Sequence, residues 1–174
     1  MSELWEAFWF FLPAGIANMS PVLVSRFPLL RNWDTPLDLG KKYKGKRLLG
    51  DNKTWRGLVC GAIIASLVGL FQYRFIATNP EPLLFIILAT GAMGLGALVG
   101  DAVESFFKRR RGIPSGEAWI PYDQIDYIIG GLVFVWAFVR LTLPEIAMIF
   151  IIYFCLHLIT SYIGYLIGFK DKPI

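Results

Sequence analysis

An all-α integral membrane protein of about five transmembrane helices is the fold class that this sequence predicts, on three observations. The 174 residues are 56% hydrophobic with a mean hydropathy of +0.56, well above an ordinary soluble domain. Five apolar stretches approach the roughly 20 residues a helix needs to cross a bilayer. Finally, 15 of the 17 lysines and arginines fall between the first and second stretches, between the third and fourth, or after the fifth; only Arg74 and Arg140 lie on the other side. That asymmetry puts the N-terminus outside and the C-terminus in the cytoplasm.

The first span, near 4–24, contains Pro13, Asn18 and Pro21 and is expected to be kinked or broken. Its Trp5, Phe8, Trp9, Phe10 and Phe11 read as a membrane-interface belt. Glu3 and Glu6 stand where a cleaved signal peptide would carry cations, so none is expected. The second span, near 57–76, has small residues at Gly57, Gly61, Ala65 and Gly69; the third, near 83–103, has them at Ala92, Gly96 and Gly100. Such stripes let membrane helices approach closely, here spans two and three against each other, with a homodimer interface as the alternative use. The fourth, near 127–143, is short and must borrow Ile125 or tilt little. The fifth runs near 146–168. Short external connections near 78–81 and 142–145 imply antiparallel neighbours. The chain reads as one membrane domain, 1–174, with functional cytoplasmic loops at 25–56 and 104–126.

Four carboxylates carry the chemistry. Asp101 and Glu104 are three apart, as are Asp123 and Asp126, so on helices each pair shares a face. Acids at membrane depth are costly unless paired, hydrated or bound to metal. Between the pairs lies Lys108-Arg109-Arg110-Arg111. Carboxylates beside cations suit Mg²⁺ and a phosphorylated substrate: the metal bridges protein oxygens to phosphate oxygens and neutralises the developing charge. Asp123 and Asp126 are the first-choice ligands, with Asp101 and then Glu104 completing the site; pairing with the basic run alone is the plainer alternative. Lys108 and Arg109 are expected to grip phosphate, whereas Arg110 and Arg111 satisfy topology or lipid headgroups.

A third element, Gly50-Asp51-Asn52-Lys53-Thr54-Trp55-Arg56-Gly57, precedes the second span. Glycines and a helix N-terminus favour phosphate, although Thr54 or Asn52 also reads as an N-cap. Cys60 and Cys155 lie within spans and read as packing residues. The sole histidine, His157, is mid-span and reads as a packing residue too.

These motifs resemble those of the CTP-dependent phosphatidate cytidylyltransferases, the CDP-diacylglycerol synthases. Ser105, Lys108 and Arg109, followed by Asp123, Gln124 and Asp126, are similar to that family's S-x-x-K-R and D-R-x-D elements. Asn52-Lys53-Thr54-Trp55-Arg56-Gly57 is similar to its P-x-K-T-x-E-G element. Gln124 replaces the family's Arg, and Arg56 its Glu. The short form of the chain, with G-D-N-K-T-W-R-G and S-F-F-K-R-R, resembles the archaeal branch, the CDP-archaeol synthases.

The resemblance implies transfer of CMP from CTP to an isoprenoid glycerol ether-lipid phosphate, with Mg²⁺ as cofactor and pyrophosphate as the second product. It implies catalytic roles for Asp101, Asp123, Asp126, Lys53 and Lys108, and substrate contacts from Asn52, Thr54, Ser105, Lys108, Arg109 and Glu104. The expected partners are CTP, the lipid phosphate and membrane lipid, with no nucleic acid. A CTP-dependent lipid kinase is the alternative enzyme. A small transporter is disfavoured, because no charged stepping stones cross spans two, three or five.

Overall fold

The computed structural model describes residues 3–75 and 81–168. It contains α1 (Glu3–Ser25), a hairpin of β1 (Lys42–Tyr43) and β2 (Lys46–Arg47), α2 (Trp55–Phe75), α3 (Leu83–Arg111), α4 (Tyr122–Val135) and α5 (Leu143–Leu166). Ile76, the connection at 78–80, Lys170 and Lys172 lie outside the described residues. α1, α2, α3 and α5 are each long and apolar enough to span a membrane. α4, with 14 residues, is about 21 Å long at 1.5 Å per residue, short of the hydrocarbon thickness.

Three sequence expectations change. First, α1 is one continuous helix through both prolines. Proline leaves the carbonyl four residues back without its donor, and both carbonyls find another. Gln72 Nε2 of α2 donates to Trp9 O, below Pro13, and Ser20 Oγ donates to Ala17 O at 2.7 Å, below Pro21. With each backbone group satisfied, the helix need not break. Second, α3 continues past residue 103 to Arg111, where Gly112 closes it in the left-handed conformation (φ 79°). Glu104, Ser105, Lys108 and Arg109 therefore sit on its last two turns rather than in a loop. Third, α4 begins at Tyr122 and ends at Val135, so Asp123 and Asp126 belong to its first turns and 136–143 is not part of its helix.

α3 is the central element, packed against α1, α2 and α4. Small residues set these distances. A Cβ on Gly69 would fall 2.1 Å from Thr90 Oγ1, and one on Gly94 2.3 Å from Ala65 Cβ, so the stripe of α2 does seat α3. The Gly96–Gly100 stripe faces α4 instead: Cβ atoms there would fall 2.4 Å from Gly130 O and 2.3 Å from Asp126 O. Both stripes are thus used within the chain.

The core joins Phe11 and Ala14 of α1, Met93 and Ala97 of α3, Ile128 and Val135 of α4, and Ile149 and Tyr153 of α5. Phe11 is fully buried, edge-on to Tyr153 with ring centroids 4.9 Å apart, so it belongs to the core rather than to an interface belt; Trp5 remains exposed. Tyr153 Oη donates to Phe8 O at 2.6 Å and Tyr127 Oη to Tyr153 O at 2.8 Å, which satisfies both hydroxyls inside the bundle. His157 lies against the Tyr127 ring, centroids 5.6 Å apart.

Candidate active site

The backbone contact of α3 with α4 at Gly100 and Gly130 brings the two acid pairs together. Asp101 and Glu104 of α3 and Asp126 of α4 each offer a carboxylate oxygen, all within 4.8 Å of one another. Asp123 lies outside this triad but against Glu104. Its Oδ1 accepts from Lys108 Nζ at 2.6 Å and its Oδ2 from Trp119 N at 2.7 Å. Lys108, itself buried, also lies 3.7 Å from Glu104 Oε1. On the other flank Lys53 Nζ reaches Asp101 Oδ2 at 2.5 Å. Burial alone would lower the Lys53 pKa, but the charge and hydrogen bond of Asp101 outweigh it and raise the pKa above the ordinary lysine value.

The triad fits a hard divalent cation. Its donors are all carboxylate oxygens, the preferred ligands of such ions. Glu104 Oε1 is buried without a hydrogen-bond donor among the described residues, and a buried acceptor left so is costly. Four carboxylates facing two lysines also leave a formal charge that one divalent cation would balance.

Two loops frame the cluster. Thr35 O accepts from Trp55 N at 3.0 Å, and Lys53 O accepts from Leu37 N at 2.7 Å, so the long first loop is pinched shut at the start of α2. Beyond the pinch the chain forms the β1–β2 hairpin. Lys44 and Gly45, its two turn residues, both have positive φ (51° and 77°), as a tight type I′ hairpin turn requires. Arg110 clamps this hairpin to α3: its guanidinium donates to Tyr43 O at 2.7 Å and to Arg47 O, and it lies 5.0 Å from the Phe106 ring centroid. Asn52 Nδ2 donates to Ser115 Oγ at 3.1 Å, tying the hairpin loop to the α3–α4 loop.

Lys53, Asp101, Glu104, Lys108, Asp123 and Asp126 are therefore neighbours in the fold. Other named residues hold structural contacts. Thr54 Oγ1 accepts from Gly57 N at 3.2 Å, the N-cap of α2. Arg109 Nη2 donates to Pro114 O at 3.2 Å, and Ser105 is buried on α3. Arg56, at the position where the resembled family carries Glu, donates to Leu30 O and Arg31 O at 3.0 and 3.1 Å. Sequence reasoning passed over Asp38, whose D-x-G context is a turn signal, and Gly130-Gly131, whose closeness to Asp126 signals backbone approach. An apolar cleft of about 390 Å³ runs between the loop and α2–α3, lined by Leu49, Leu58, Val99, Ala102, Val103 and Phe106 among others; its α3 residues lie on the helix face away from Asp101 and Glu104.

Comparison with known proteins gives the family. The family model described as CarS-like, CDP-archaeol synthase, matches residues 1–174. The chain is 36% identical to CDP-archaeol synthase of Pyrococcus horikoshii over 99% of its length and 98% of the relative's. It is 41% identical to that of Methanosphaerula palustris over 93% of its length and 99% of the relative's. Among solved structures it is similar to an intramembrane enzyme for archaeal membrane lipid biosynthesis, with a TM-score of 0.77 and 32% identity over 91% of this chain and 94% of that one. With the whole chain matched and the acid cluster assembled inside a bundle of membrane helices, the chain belongs to the CarS-like family of CDP-archaeol synthases, multi-pass membrane enzymes of the cytidylyltransferase class.

Proposed function

We propose that this chain transfers CMP from CTP to 2,3-bis-O-geranylgeranylglycerol 1-phosphate, giving the CDP-ether lipid and pyrophosphate, with Mg²⁺ as cofactor and the site on the cytoplasmic side. The observation that carries the proposal is the Asp101–Glu104–Asp126 triad flanked by Lys53 and Lys108. The cytoplasmic placement rests on the cation asymmetry, because Lys53 and Lys108 belong to the segments that hold most of the lysines and arginines.

A phosphate oxygen of the lipid attacks the α-phosphorus of CTP. The new P–O bond forms as the bond from that phosphorus to the bridging oxygen of the β-phosphate breaks, and its electron pair leaves on pyrophosphate. The attacking oxygen is already anionic near neutral pH, so no strong base is needed. Alignment and charge neutralisation carry the rate. Asp101, Glu104 and Asp126 would hold Mg²⁺, which when bound would supply positive charge at the triphosphate. Lys53 and Asn52 hold the triphosphate from the loop side. Lys108, oriented by Asp123, faces the lipid phosphate or the departing pyrophosphate.

The test is an assay of purified protein with Mg²⁺, CTP labelled at the α-phosphate and the ether-lipid phosphate. Label entering the organic phase with stoichiometric pyrophosphate supports cytidylyl transfer. Label remaining in water as CDP, with phosphate gained by a lipid alcohol supplied in parallel, would point to a kinase instead. Omitting Mg²⁺ should abolish transfer, and undiminished turnover in chelator would exclude the metal role.

A further inference from the structure

One buried carboxylate lies outside the acid cluster and has no part in the reaction as proposed. The Asp38 side chain is 1% exposed and accepts five hydrogen bonds. Its Oδ1 accepts from Gly40 N at 3.0 Å and Arg47 Nη2 at 2.7 Å. Its Oδ2 accepts from Arg47 Nε at 3.2 Å, Leu49 N at 3.0 Å and Gly50 N at 3.2 Å. These donors come from both arms of the hairpin loop, so one side chain closes the whole loop on itself.

The loop leads straight to the site. Leu37, the residue before Asp38, donates to Lys53 O at 2.7 Å, and Lys53 N donates to Gly50 O at 3.4 Å. Gly50, held by Asp38, takes a φ of 106° that favours glycine, and the next three residues are Asp51, Asn52 and Lys53. Arg47 uses its remaining nitrogen on Asp51 Oδ1 at 2.6 Å. Leu39, between Asp38 and the Gly40 it binds, has a φ of 49°, a conformation that surrounding bonds must hold in place. An asparagine at 38 could not replace the carboxylate, because its amide would turn N–H groups toward partners that are all donors.

We propose that Asp38 is a positioning residue for the nucleotide: it locks the 38–50 loop so that Lys53 stands at the acid cluster before CTP arrives. The inference rests on the reading above, in which Lys53 and Asn52 hold the triphosphate. An ordered loop spares CTP the entropy of gathering those groups.

The test compares Asp38→Asn, Lys53→Ala and the double variant with wild-type protein in lipid nanodiscs, varying CTP and lipid phosphate separately. Asp38→Asn should raise KM for CTP about tenfold and leave KM for the lipid phosphate unchanged. In the double variant it should add little to the Lys53→Ala effect, because Asp38 acts through Lys53. Calorimetric CTP binding gives the same comparison where turnover is too slow. Should Asp38→Asn not fold, Arg47→Gln keeps the three backbone bonds of Asp38 and should raise the same KM by a smaller factor. An unchanged KM for CTP, an equal rise in both KM values, or full additivity in the double variant would overturn the proposal. A Lys53→Ala protein with normal CTP affinity would instead sink the triphosphate reading itself.

Discussion

Replacing Gly100 with alanine probes the link between helix packing and chemistry most directly. A Cβ there would lie 2.3 Å from Asp126 O, 3.0 Å from Asp126 C and 3.1 Å from Gly130 Cα. The first contact is about 1 Å closer than the 3.4 Å at which ordinary van der Waals contact begins, and the atoms it meets are backbone. No rotamer can relieve it, so α3 and α4 must part by roughly that distance, between Asp101 on one side and Asp126 on the other. A misplacement of about 1 Å at reacting groups costs on the order of a hundredfold in rate, and overpacking costs about 1–3 kcal/mol in stability. Gly69→Ala is the control: its Cβ would meet Thr90 Oγ1 at 2.1 Å and Thr90 Cβ at 2.8 Å, a side-chain clash at an α2–α3 contact that does not include the acids. Steady-state turnover and thermal unfolding in detergent should show both variants destabilised, with only Gly100→Ala losing kcat about a hundredfold. A folded Gly100→Ala protein with near-normal kcat would refute the view that this glycine contact sets the carboxylate geometry.

Asp126→Asn should lower turnover by about a thousandfold or more while the protein stays folded in detergent, because it removes a charged ligand from the triad; near-normal activity would contradict the metal assignment. Asp38 should mark the acid limb of stability. Burial pulls its pKa upward, but the Arg47 guanidinium and the N–H groups of Leu49, Gly50 and Gly40 outweigh it and hold the carboxyl well below the usual aspartate range. The unfolded chain then takes up the proton first as pH falls, so the Asp38 contribution is complete above pH about 3.9 and is lost progressively below it. Thermal unfolding between about pH 6 and pH 3 should show a steeper loss in wild type than in Asp38→Asn, and parallel curves would exclude the effect. Gln72→Leu should destabilise by about 1–3 kcal/mol, since Trp9 O loses its donor. Pro13→Ala in that background should recover much of the loss by restoring the helical N–H; a double variant no better than Gln72→Leu would show that the amide has another role.

The long apolar stretches and the cation asymmetry made the membrane class legible, because bilayer thickness and charge bias act on composition alone. The acid pairs were equally legible, since a three-residue spacing defines a helix face wherever the helix lies. What escaped reading depends on partners distant in sequence. Pro13 and Pro21 forecast a kinked or broken helix; the helix does not break, because Gln72, 59 positions beyond Pro13, and Ser20 supply the missing donors. The Gly96–Gly100 stripe announced a close contact, but the sequence assigned it to α2, whereas α4 meets it. Lys108 was legible as a cation near acids, but its preference for Asp123 over the triad follows from where α4 starts. Asp38 was overlooked because a single aspartate in a lysine-rich loop looks solvated until the loop folds around it.

The same contact that completes the bundle also concentrates negative charge, and the two facts constrain each other. Helices that meet backbone to backbone at Gly100 and Gly130 leave no side chain between Asp101, Glu104 and Asp126 to dilute their repulsion. Lys53 and Lys108 offset part of it, each from a different segment: the hairpin loop and the last turns of α3. If the triad takes a divalent cation, Lys53 is no longer the sole counter-charge of Asp101 and can turn to the triphosphate that accompanies the metal. Lys108 remains tied by Asp123, outside the triad, while also lying 3.7 Å from Glu104 within it. The two lysines then differ in kind: one is exchanged between acid and substrate, the other is fixed. Substituting Lys53 should therefore weaken CTP binding more than it weakens the fold. Substituting Lys108 should cost the fold as well, because Asp123 and Glu104 would be left without that cation at the end of two membrane helices.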